Sequence, residues 1–449
     1  MTVLALSVDT HKIFTTTESK ITMVRRPDRL KVMTVIAATI AMLLGSVTAS
    51  PTNAAPLYDN TQLGSFFKVS QSRLNSLPNG TLIRARAVSN IVAPGSQVFQ
   101  YVFKTTNSHG KAVLASAAVI RPLLARPNAN VLVYNDFINS LGVKCQPSFS
   151  FDASADWITT GGKTPHADTK HEYMSRNAII YQVGALAAAY GIVTIFPDFL
   201  GLQSAYGANI QGGHITLDAT KAALQMKNLN ISKSKIVVSG YSGGAMVAGY
   251  AASMAPAYAP KLNIVGLAIG GVPVDMVWMI KALGNDPNPG FGIVMAGMIG
   301  MEREYPARMN VYSRLSPAGK KLVDANRNAC TPRLLNAMAN QSGDTMFTNV
   351  KLRKQHRELQ VSAENSLINY RATPRVPIFI WSSSLDILVP LNLIKKLTTR
   401  WCATNRNLKI QLLDTHVSDH VTNAAVGSWF AFPWVLSRFA GLPPQNTEC

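Results

Sequence analysis

Apolar and polar positions are arranged along most of the chain so that short strands and helices are predicted in turn. Residues 97–106 and 111–120 alternate or run apolar on either side of the turn cluster 107–110, which predicts a β-hairpin. Short apolar runs then predict buried strands at residues 131–134, 192–196, 236–238, 264–269, 376–381 and 408–412. Longer helical patterns fall at residues 172–188, 217–229, 245–254, 391–401 and 421–439.

This alternation predicts an α/β fold. Strands that are apolar throughout are typical of a mostly parallel sheet with helices on both faces. Residues 274–371 show helical and loop patterns without a convincing strand, and a segment of this length is too long for a plain loop. We therefore expect a core built from residues 50–273 and 372–449, with residues 274–371 inserted as a helical cap or lid. Residues 50–95 are mixed and polar, and predict a wrap before the core.

One piece of the expected cap, residues 290–301, is apolar and rich in Met and Gly. Packing in the core is one interpretation of this piece. Flexible Met and small Gly would also suit an acyl-chain tunnel or a moving lid, and both interpretations stay open.

The composition is typical of a folded globular protein. Hydrophobic residues make up 47% of the 449 positions and charged residues only 15%, which supplies a sizeable core and argues against disorder. The net charge of +20 would attract anionic surfaces or polymers, or would simply keep an exported protein in solution. The chain has no Lys/Arg-rich arm, zinc-finger spacing or aromatic RNA motif, so we expect no nucleic-acid partner.

The N-terminus is typical of an export signal. Basic residues at positions 25, 26, 29 and 31 precede an apolar run at 32–44, and small residues at 45–49 form a cleavage zone. The run is too short to span a bilayer, and no later segment reaches spanning length without polar interruption. We expect residues 1–49 to be an N-terminal extension and signal peptide, with Met1 or Met23 as the start. The mature chain should be secreted, or periplasmic or bound in the cell envelope, without a transmembrane span.

The cysteines agree with an oxidising compartment. There are four, Cys145, Cys330, Cys402 and Cys449, which would form two disulfides. No C-x-x-C pair occurs, so neither a metal site nor a redox role is expected. The residues alone leave all three pairings open.

The pattern Gly240-Tyr-Ser-Gly-Gly244 fits G-x-S-x-G, the nucleophile elbow of α/β-hydrolases. Any glycine-rich turn can match these five residues. Here they stand between an apolar strand and a small-residue helix, which favours a catalytic Ser242 over a structural turn. The helix that follows points its N-terminus at Ser242, where negative charge would develop.

A serine hydroxyl needs a histidine that takes its proton and an acid that orients the histidine. In α/β-hydrolases the chain order is Ser, acid, His. Asp386 follows a core strand and is the expected acid, with a helix N-cap as its alternative role. His420 directly precedes the final helix and is favoured as the base over His416. Earlier histidines are expected to be structural or exposed: His109, His166, His171, His214 and His356.

The tetrahedral intermediate needs two backbone N–H donors. One is expected from Gly243, directly after the nucleophile, and one from Asp136, in the loop after the strand 131–134. Asp198 ends another core strand, where it would either brace the site through hydrogen bonds or form a turn.

With these residues in place, the chain resembles the secretory lipase family of α/β-hydrolases, the lipase-A-like group, from about residue 95 to the C-terminus. The resemblance rests on the shared order of several short motifs: Thr105-Thr-Asn-Ser-His-Gly-Lys111, Cys145-Gln-Pro-Ser148, Pro197-Asp-Phe-Leu-Gly201, Gly240-Tyr-Ser-Gly-Gly244, Tyr258-Ala-Pro-Lys-Leu-Asn-Ile-Val-Gly266, Asp386 with Val-Pro390, and Arg438-Phe-Ala-Gly-Leu-Pro443. Two departures stand out. The loop Tyr134-Asn-Asp-Phe137 is only loosely like the family's acidic loop, and Ser242 is followed by Gly-Gly-Ala where Gln-Gly-Gly is usual.

The resemblance implies a helical cap, hydrolysis of triglycerides or other esters, no cofactor, and the disulfides Cys145–Cys330 and Cys402–Cys449. The expected function is therefore that of an exported serine ester hydrolase, a triacylglycerol lipase or carboxylesterase working through an acyl-enzyme. Its substrate would be a lipid or other ester, including one held at a lipid–water interface. Two alternatives remain: an acyltransferase of the same fold, and a catalytically silent module that binds lipid or cell wall.

Overall fold

A nine-stranded, mostly parallel sheet forms the centre of the protein. The computed structural model describes residues 63–88, 93–151, 182–417 and 419–449, all within one structural unit, Leu43–Cys449. The expected extension and signal peptide at 1–49, and most of the expected helix 172–188, lie outside the described residues. The end of that helix is described, and residues 182–189 are helical.

In spatial order the strands run β1-β2-β3-β5-β4-β6-β7-β8-β9. The six strands β4 to β9 are parallel to one another, and β1, β2 and β3 are added antiparallel beside β5. Their bounds are Leu82–Val88 (β1), Ser96–Thr106 (β2), Ala112–Pro122 (β3), Val131–Asn135 (β4), Val193–Pro197 (β5), Ile236–Tyr241 (β6), Ile264–Gly270 (β7), Ile378–Ser382 (β8) and Ile410–Asp414 (β9).

The predicted hairpin is confirmed, with β2 and β3 in unbroken antiparallel register from Ser96↔Pro122 to Thr106↔Ala112. Strand β1 was not predicted, because residues 50–95 were interpreted as a polar wrap. It alternates small or apolar residues with Arg84 and Arg86, and it occupies the edge of the sheet, where charged side chains reach water and discourage pairing with other chains.

The main helices are Gln71–Ser76 (α1), Asn209–Leu224 (α2), Gly243–Tyr258 (α3), Met276–Leu283 (α4), Phe291–Glu304 (α5), Pro317–Asn326 (α6), Thr331–Ala337 (α7), Gly343–Met346 (α8), His356–Glu364 (α9), Leu391–Thr404 (α10) and His420–Phe439 (α11). Helix α2 begins eight residues before the predicted start. Its first turn contains Gly212, and glycine in a sequence does not favour a helix, so this turn was not predicted. In the structure a Cβ at Gly212 would lie 2.8 Å from Val247 Cγ2, which shows that glycine is needed here for α2 and α3 to pack closely.

Helices cover both faces of the sheet, as the pattern predicted. Alternate residues of β4 and β6 point to opposite sides, so Val133 and Val238 join a core with α2 and α3. On the other face Leu132 and Val237 join a core with residues of α11, including Trp434. Both sides of the central strands are therefore buried, which explains their continuous apolar runs.

Between β7 and β8 the chain forms helices α4 to α9. Residues 274–371, all of which the structure describes, contain no strand of the sheet and one isolated bridge, Leu315↔Phe347. Within them α5 is buried along nearly its whole length, and Met295 and Met298 are inaccessible to solvent. Among the described helices none is both long and apolar enough to cross a membrane.

Two disulfides link distant parts of the chain. Cys145 is bonded to Cys330, which ties the region after β4 to the helices between β7 and β8. Cys402 is bonded to Cys449, which ties α10 to the C-terminus. These are the pairs that the resemblance implies.

Candidate active site

Ser242 stands on a sharp turn between β6 and α3. Its backbone has φ 50° and ψ −120°, a conformation that L-residues rarely adopt, and its N–H donates to Gly270 O at 2.9 Å. The turn needs glycine on both sides. A Cβ at Gly240 would lie 2.7 Å from the Gly244 backbone, and one at Gly244 would lie 2.0 Å from Asn135 O. The predicted elbow is thus present as a strained strand-to-helix turn.

The structure brings Ser242, His420 and Asp386 into one hydrogen-bonded chain. Ser242 Oγ lies 2.9 Å from His420 Nε2, and His420 Nδ1 lies 2.6 Å from Asp386 Oδ2. With Asp386 ionised, Nδ1–H donates to the carboxylate and Nε2 accepts from the serine hydroxyl. The Asp386 side chain is fully buried and that of His420 is 13% exposed, so the histidine has limited access to water.

Asp386 is held by the turn that follows β8. Its Oδ1 accepts hydrogen bonds from the N–H groups of Leu388 at 2.9 Å and Val389 at 3.1 Å, which leaves Oδ2 for His420. The alternative role as a helix N-cap is wrong, because the N-cap of α10 is Pro390.

His420 is the first residue of α11. The Asp419 side chain caps this helix by accepting from the N–H groups of Val421 and Thr422, and Tyr241 Oη donates to the carbonyl oxygen of His420 at 2.5 Å. His416 lies elsewhere: its side chain is 74% exposed and its Nδ1 is 3.2 Å from Ser384 Oγ. Of the two candidate histidines, only His420 contacts Ser242 and Asp386.

Tyr241 is a neutral hydrogen-bond donor to the backbone of His420. Burial raises the pKa of its phenol well above the usual value, and the negative charge of Asp386 raises it further. The tyrosine ring centroid lies 5.1 Å from that of His420. The neutral phenol therefore holds the first turn of α11 without competing for the proton of the Ser242–His420 pair.

The two expected oxyanion donors lie on neighbouring segments. Gly243 is the first residue of α3, where an N–H has no acceptor within the helix. Asp136 is buried in the loop after β4, and a Cβ at Gly244 would lie 2.6 Å from its carbonyl oxygen. The Asn135 side chain secures this loop by donating to Ser239 O and accepting from Thr216 Oγ1.

The same loop is anchored to the helices between β7 and β8. The N–H groups of Leu141 and Gly142 donate to Ala329 O at 3.1 and 3.3 Å, next to the Cys145–Cys330 disulfide. The Arg303 guanidinium donates to Leu141 O at 2.7 Å. The position of the loop beside Ser242 therefore depends on residues more than a hundred positions away.

The Asp198 side chain links β3 to the segment that contains Ser148, and its backbone forms a turn. Its side chain is fully buried and accepts from Ser116 Oγ at 2.5 Å, from Ser148 N at 2.9 Å and from Ser148 Oγ. Gly201 N also donates to its carbonyl oxygen at 2.9 Å. Burial raises the pKa of the carboxyl to about 6, although these hydrogen bonds oppose the shift.

Two residues beside Gly243 were not predicted from the sequence. A Cβ there would lie 2.6 Å from Asn139 Oδ1 and 3.3 Å from Tyr206 Cε2. A single Asn in one loop and a single Tyr in another carry no motif, so only their position in space reveals them.

An apolar cleft opens near the Asp386–His420 pair. It is narrow, with room for about one water molecule, and its lining is apolar apart from Asp275 and includes Val272, Trp278, Leu388 and Leu393. Gly271, which precedes this lining, lies so close to His420 that a Cβ would be 2.9 Å from its Cε1. Within the described residues, no group of three or more His, Cys, Asp or Glu side chains could hold a metal ion.

Comparison with known proteins places these features in context. The family model described as "Secretory lipase" matches residues 176–447. Lipase 1 of Candida albicans is 28% identical over 360 residues, covering 77% of this chain and 72% of the relative. Secreted triacylglycerol lipase LIP5 of Malassezia globosa is 26% identical over 407 residues, covering 87% of this chain and 80% of the relative.

Solved structures share the fold. Candida antarctica lipase A superimposes with a TM-score of 0.73 at 24% identity, covering 88% of each chain. The rice cell wall degrading esterase LipA from Xanthomonas oryzae has a TM-score of 0.58 at 19% identity, covering 81% of this chain and 98% of the other. These similarities support the α/β-hydrolase architecture that the sheet order displays.

Proposed function

The chain belongs to the secretory lipase family and is a lipase or carboxylesterase, and from this premise we propose that it cleaves esters with Ser242 as nucleophile, His420 as base and Asp386 as orienting acid. The observation that carries the proposal is the continuous hydrogen-bonded chain from Ser242 Oγ through His420 to Asp386 Oδ2. Each residue has the chemistry and the contact that its role requires.

In the first half of the reaction, Ser242 Oγ attacks the ester carbonyl carbon while His420 Nε2 accepts the hydroxyl proton. The ionised Asp386 stabilises the imidazolium that forms, and the N–H groups of Gly243 and Asp136 donate to the oxyanion. When the tetrahedral intermediate collapses, the C–O bond to the alcohol breaks. His420 returns the proton to the departing alkoxide, and the acyl group remains on Ser242.

In the second half a water molecule replaces the alcohol. His420 Nε2 takes a proton from the water as its oxygen attacks the acyl carbon, and the same donors hold the second oxyanion. Collapse of this intermediate breaks the bond to Ser242 Oγ, which receives the proton from His420. The products are a carboxylic acid, an alcohol and the free enzyme.

The proposed substrates are lipid esters, triacylglycerols among them. The mostly apolar surface beside the Asp386–His420 pair would favour contact with a hydrocarbon chain or an apolar alcohol over a polar one. The name of the Malassezia globosa relative, a secreted triacylglycerol lipase, supports this substrate class.

We also propose that residues 274–371 form the cap of this site. Helices α4 to α9 fill the interval between β7 and β8, and Arg303 and Ala329 hold the loop that carries Asp136. Membership of a secretory family supports export, and we assign the signal peptide to residues 1–49.

The proposal is tested by measuring hydrolysis of p-nitrophenyl esters from acetate to palmitate, and of a triacylglycerol emulsion, by wild type and Ser242→Ala. Alanine fits the turn, so the variant should fold and lose activity together with labelling by a fluorophosphonate. Ser253→Ala, a change at another buried serine of α3, is the matched control and should remain active. Labelling that persists in Ser242→Ala would place the nucleophile elsewhere. Ester products formed in preference to acid when an alcohol is added would indicate an acyltransferase.

A further inference from the structure

The side-chain amide of Asn139 occupies the space beside Gly243 where a side chain would otherwise lie. A Cβ at Gly243 would be 2.6 Å from Asn139 Oδ1, closer than two such atoms can stand. Asn139 is only 7% exposed. The end of this amide therefore borders the first residue of α3, next to the proposed nucleophile.

The amide oxygen at this position has no hydrogen-bond donor among the described residues. An unpaired buried amide oxygen costs roughly 1–3 kcal/mol, so such a group inside a site needs a reason for its presence. Simple relaxation of the loop does not supply a partner, because Leu141 and Gly142 are held by Ala329 and the neighbouring Ser140 Oγ lies 3.3 Å from Thr331 Oγ1. The backbone that carries Asn139 is thus held on its C-terminal side, while its side chain is free to turn.

An asparagine side chain carries an acceptor and two N–H donors on one planar group. Half a turn about its terminal C–C bond exchanges the oxygen and the NH2, and no hydrogen bond to Oδ1 from the described residues resists that turn. The NH2 would then point to the place where Oδ1 now lies, beside the residue whose N–H is expected to receive the oxyanion.

We propose that Asn139 is a third oxyanion donor, whose side-chain NH2 binds the negatively charged oxygen of the tetrahedral intermediate beside the N–H groups of Gly243 and Asp136. This inference rests on the proposed function, because the oxyanion forms only when Ser242 attacks an ester carbon. A neutral donor that is already desolvated and anchored needs little reorganisation as charge develops, which is the condition under which such donors stabilise transition states most.

The test compares wild type with Asn139→Leu, which keeps a similar volume without hydrogen-bonding atoms, and with Asn139→Ala, which only removes atoms should the leucine prevent folding. For each we measure kcat and KM on p-nitrophenyl butyrate, the melting temperature, and the affinity for an alkyl trifluoromethyl ketone, which forms a tetrahedral oxyanion adduct on the serine. Loss of one oxyanion donor should lower kcat by roughly 100-fold with little change in KM, and should weaken the ketone by a similar factor.

Ser253→Ala, a change at a buried serine of α3 that has no role in the proposal, is the control and should keep kcat within about threefold, because removal of a buried hydroxyl away from the oxyanion loop leaves the donors in place. An unchanged kcat in both Asn139 variants, a lowered kcat with full affinity for the ketone, or an equal loss in Ser253→Ala would overturn the assignment. Ser242→Ala run in parallel separates the two proposals. If it stays active the proposed function fails, whereas an inactive Ser242→Ala with fully active Asn139 variants removes only the third donor.

Discussion

Gly244 lies directly against the backbone of Asn135, so that a Cβ added to Gly244 would be 2.0 Å from the Asn135 carbonyl oxygen. The end of β4, where the loop with Asp136 begins, is therefore stacked on the first turn of α3, which follows Ser242. This contact between two segments about a hundred residues apart helps to fix the nucleophile and the expected oxyanion loop relative to each other.

The first prediction follows from that contact. Gly244→Ala should lower the free energy of unfolding by about 1–3 kcal/mol and remove most activity, because the rigid Asn135 backbone cannot move aside without displacing Asp136. Gly243→Ala is the comparison: the nearest atom to its Cβ is the end of the Asn139 side chain, which can rotate away. Urea unfolding and ester hydrolysis should show Gly244→Ala as the less stable of the two. Equal stability of both variants would contradict this account.

The second prediction concerns the two histidines at the end of the chain. His420→Ala should lower kcat by roughly 10⁴-fold or more, because the serine loses its base and triad members act as a unit. His416→Ala should leave most activity, since its side chain is largely exposed and contacts Ser384 rather than Ser242. Initial rates on p-nitrophenyl butyrate measure both. A dead His416→Ala beside an active His420→Ala would reverse the assignment.

The third prediction separates the two disulfides. Cys402→Ser and Cys145→Ser should each lower the free energy of unfolding by roughly 2–5 kcal/mol, because each bond closes a long loop of the unfolded chain. Only Cys145→Ser should also reduce kcat in the remaining folded enzyme, since its bond to Cys330 lies beside the Ala329 carbonyl that holds the oxyanion loop. Active-site titration with a fluorophosphonate corrects for unfolded protein. An equal kcat loss in both variants would be incompatible with this distinction.

The fourth prediction concerns pH. The pKa of Asp198 is raised to about 6 from its usual 3.8, mainly by burial, so the folded protein binds this proton more tightly than the unfolded chain. Between these values the free energy of unfolding should fall as pH rises, by at most about 1.4 kcal/mol per pH unit from this group, and should level off above the folded pKa. Asp198→Asn, which cannot ionise, should lack this component. Denaturation of both proteins from pH 4 to 7 measures it, and curves that stay parallel would show that Asp198 does not titrate in that range.

The fifth prediction decides between the two interpretations of the Met- and Gly-rich helix α5. Met298 is buried in the main core, where an introduced charge would be desolvated. We expect Met298→Lys to lower the melting temperature and to reduce turnover of acetate and palmitate esters in equal proportion. Met298→Leu, which conserves volume, should be nearly neutral in both respects. A loss confined to palmitate with an unchanged melting temperature would instead identify α5 as part of an acyl-chain tunnel.

The sequence by itself predicted the elements whose signals are local. The largely apolar runs of β4 to β8 mark strands buried on both faces, and the fold class follows from their alternation with helices. Ser242 was identifiable because a strained turn imposes small residues at fixed spacing around it, within five positions. Edge strand β1 carried no such signal, since arginines alternate along an open edge and burial imposes little on its sequence.

Tertiary structure alone decided what depends on distance in space. From their residues, all three pairings of the four cysteines were open. His416 and His420 are only four positions apart, and the sequence favoured His420 without showing which of them contacts the serine. The chain packs so that α11 begins at the elbow, which brings His420 within hydrogen-bonding distance of Ser242, 178 positions earlier. Asn139 shows the same limit most clearly: nothing in its neighbours along the chain distinguishes it, and its position beside Gly243 results from a loop held by Ala329 and the Cys145–Cys330 bond. Local patterns record only what each segment needs for its own conformation and burial, whereas a site assembled from separate loops is defined by contacts that no single segment contains.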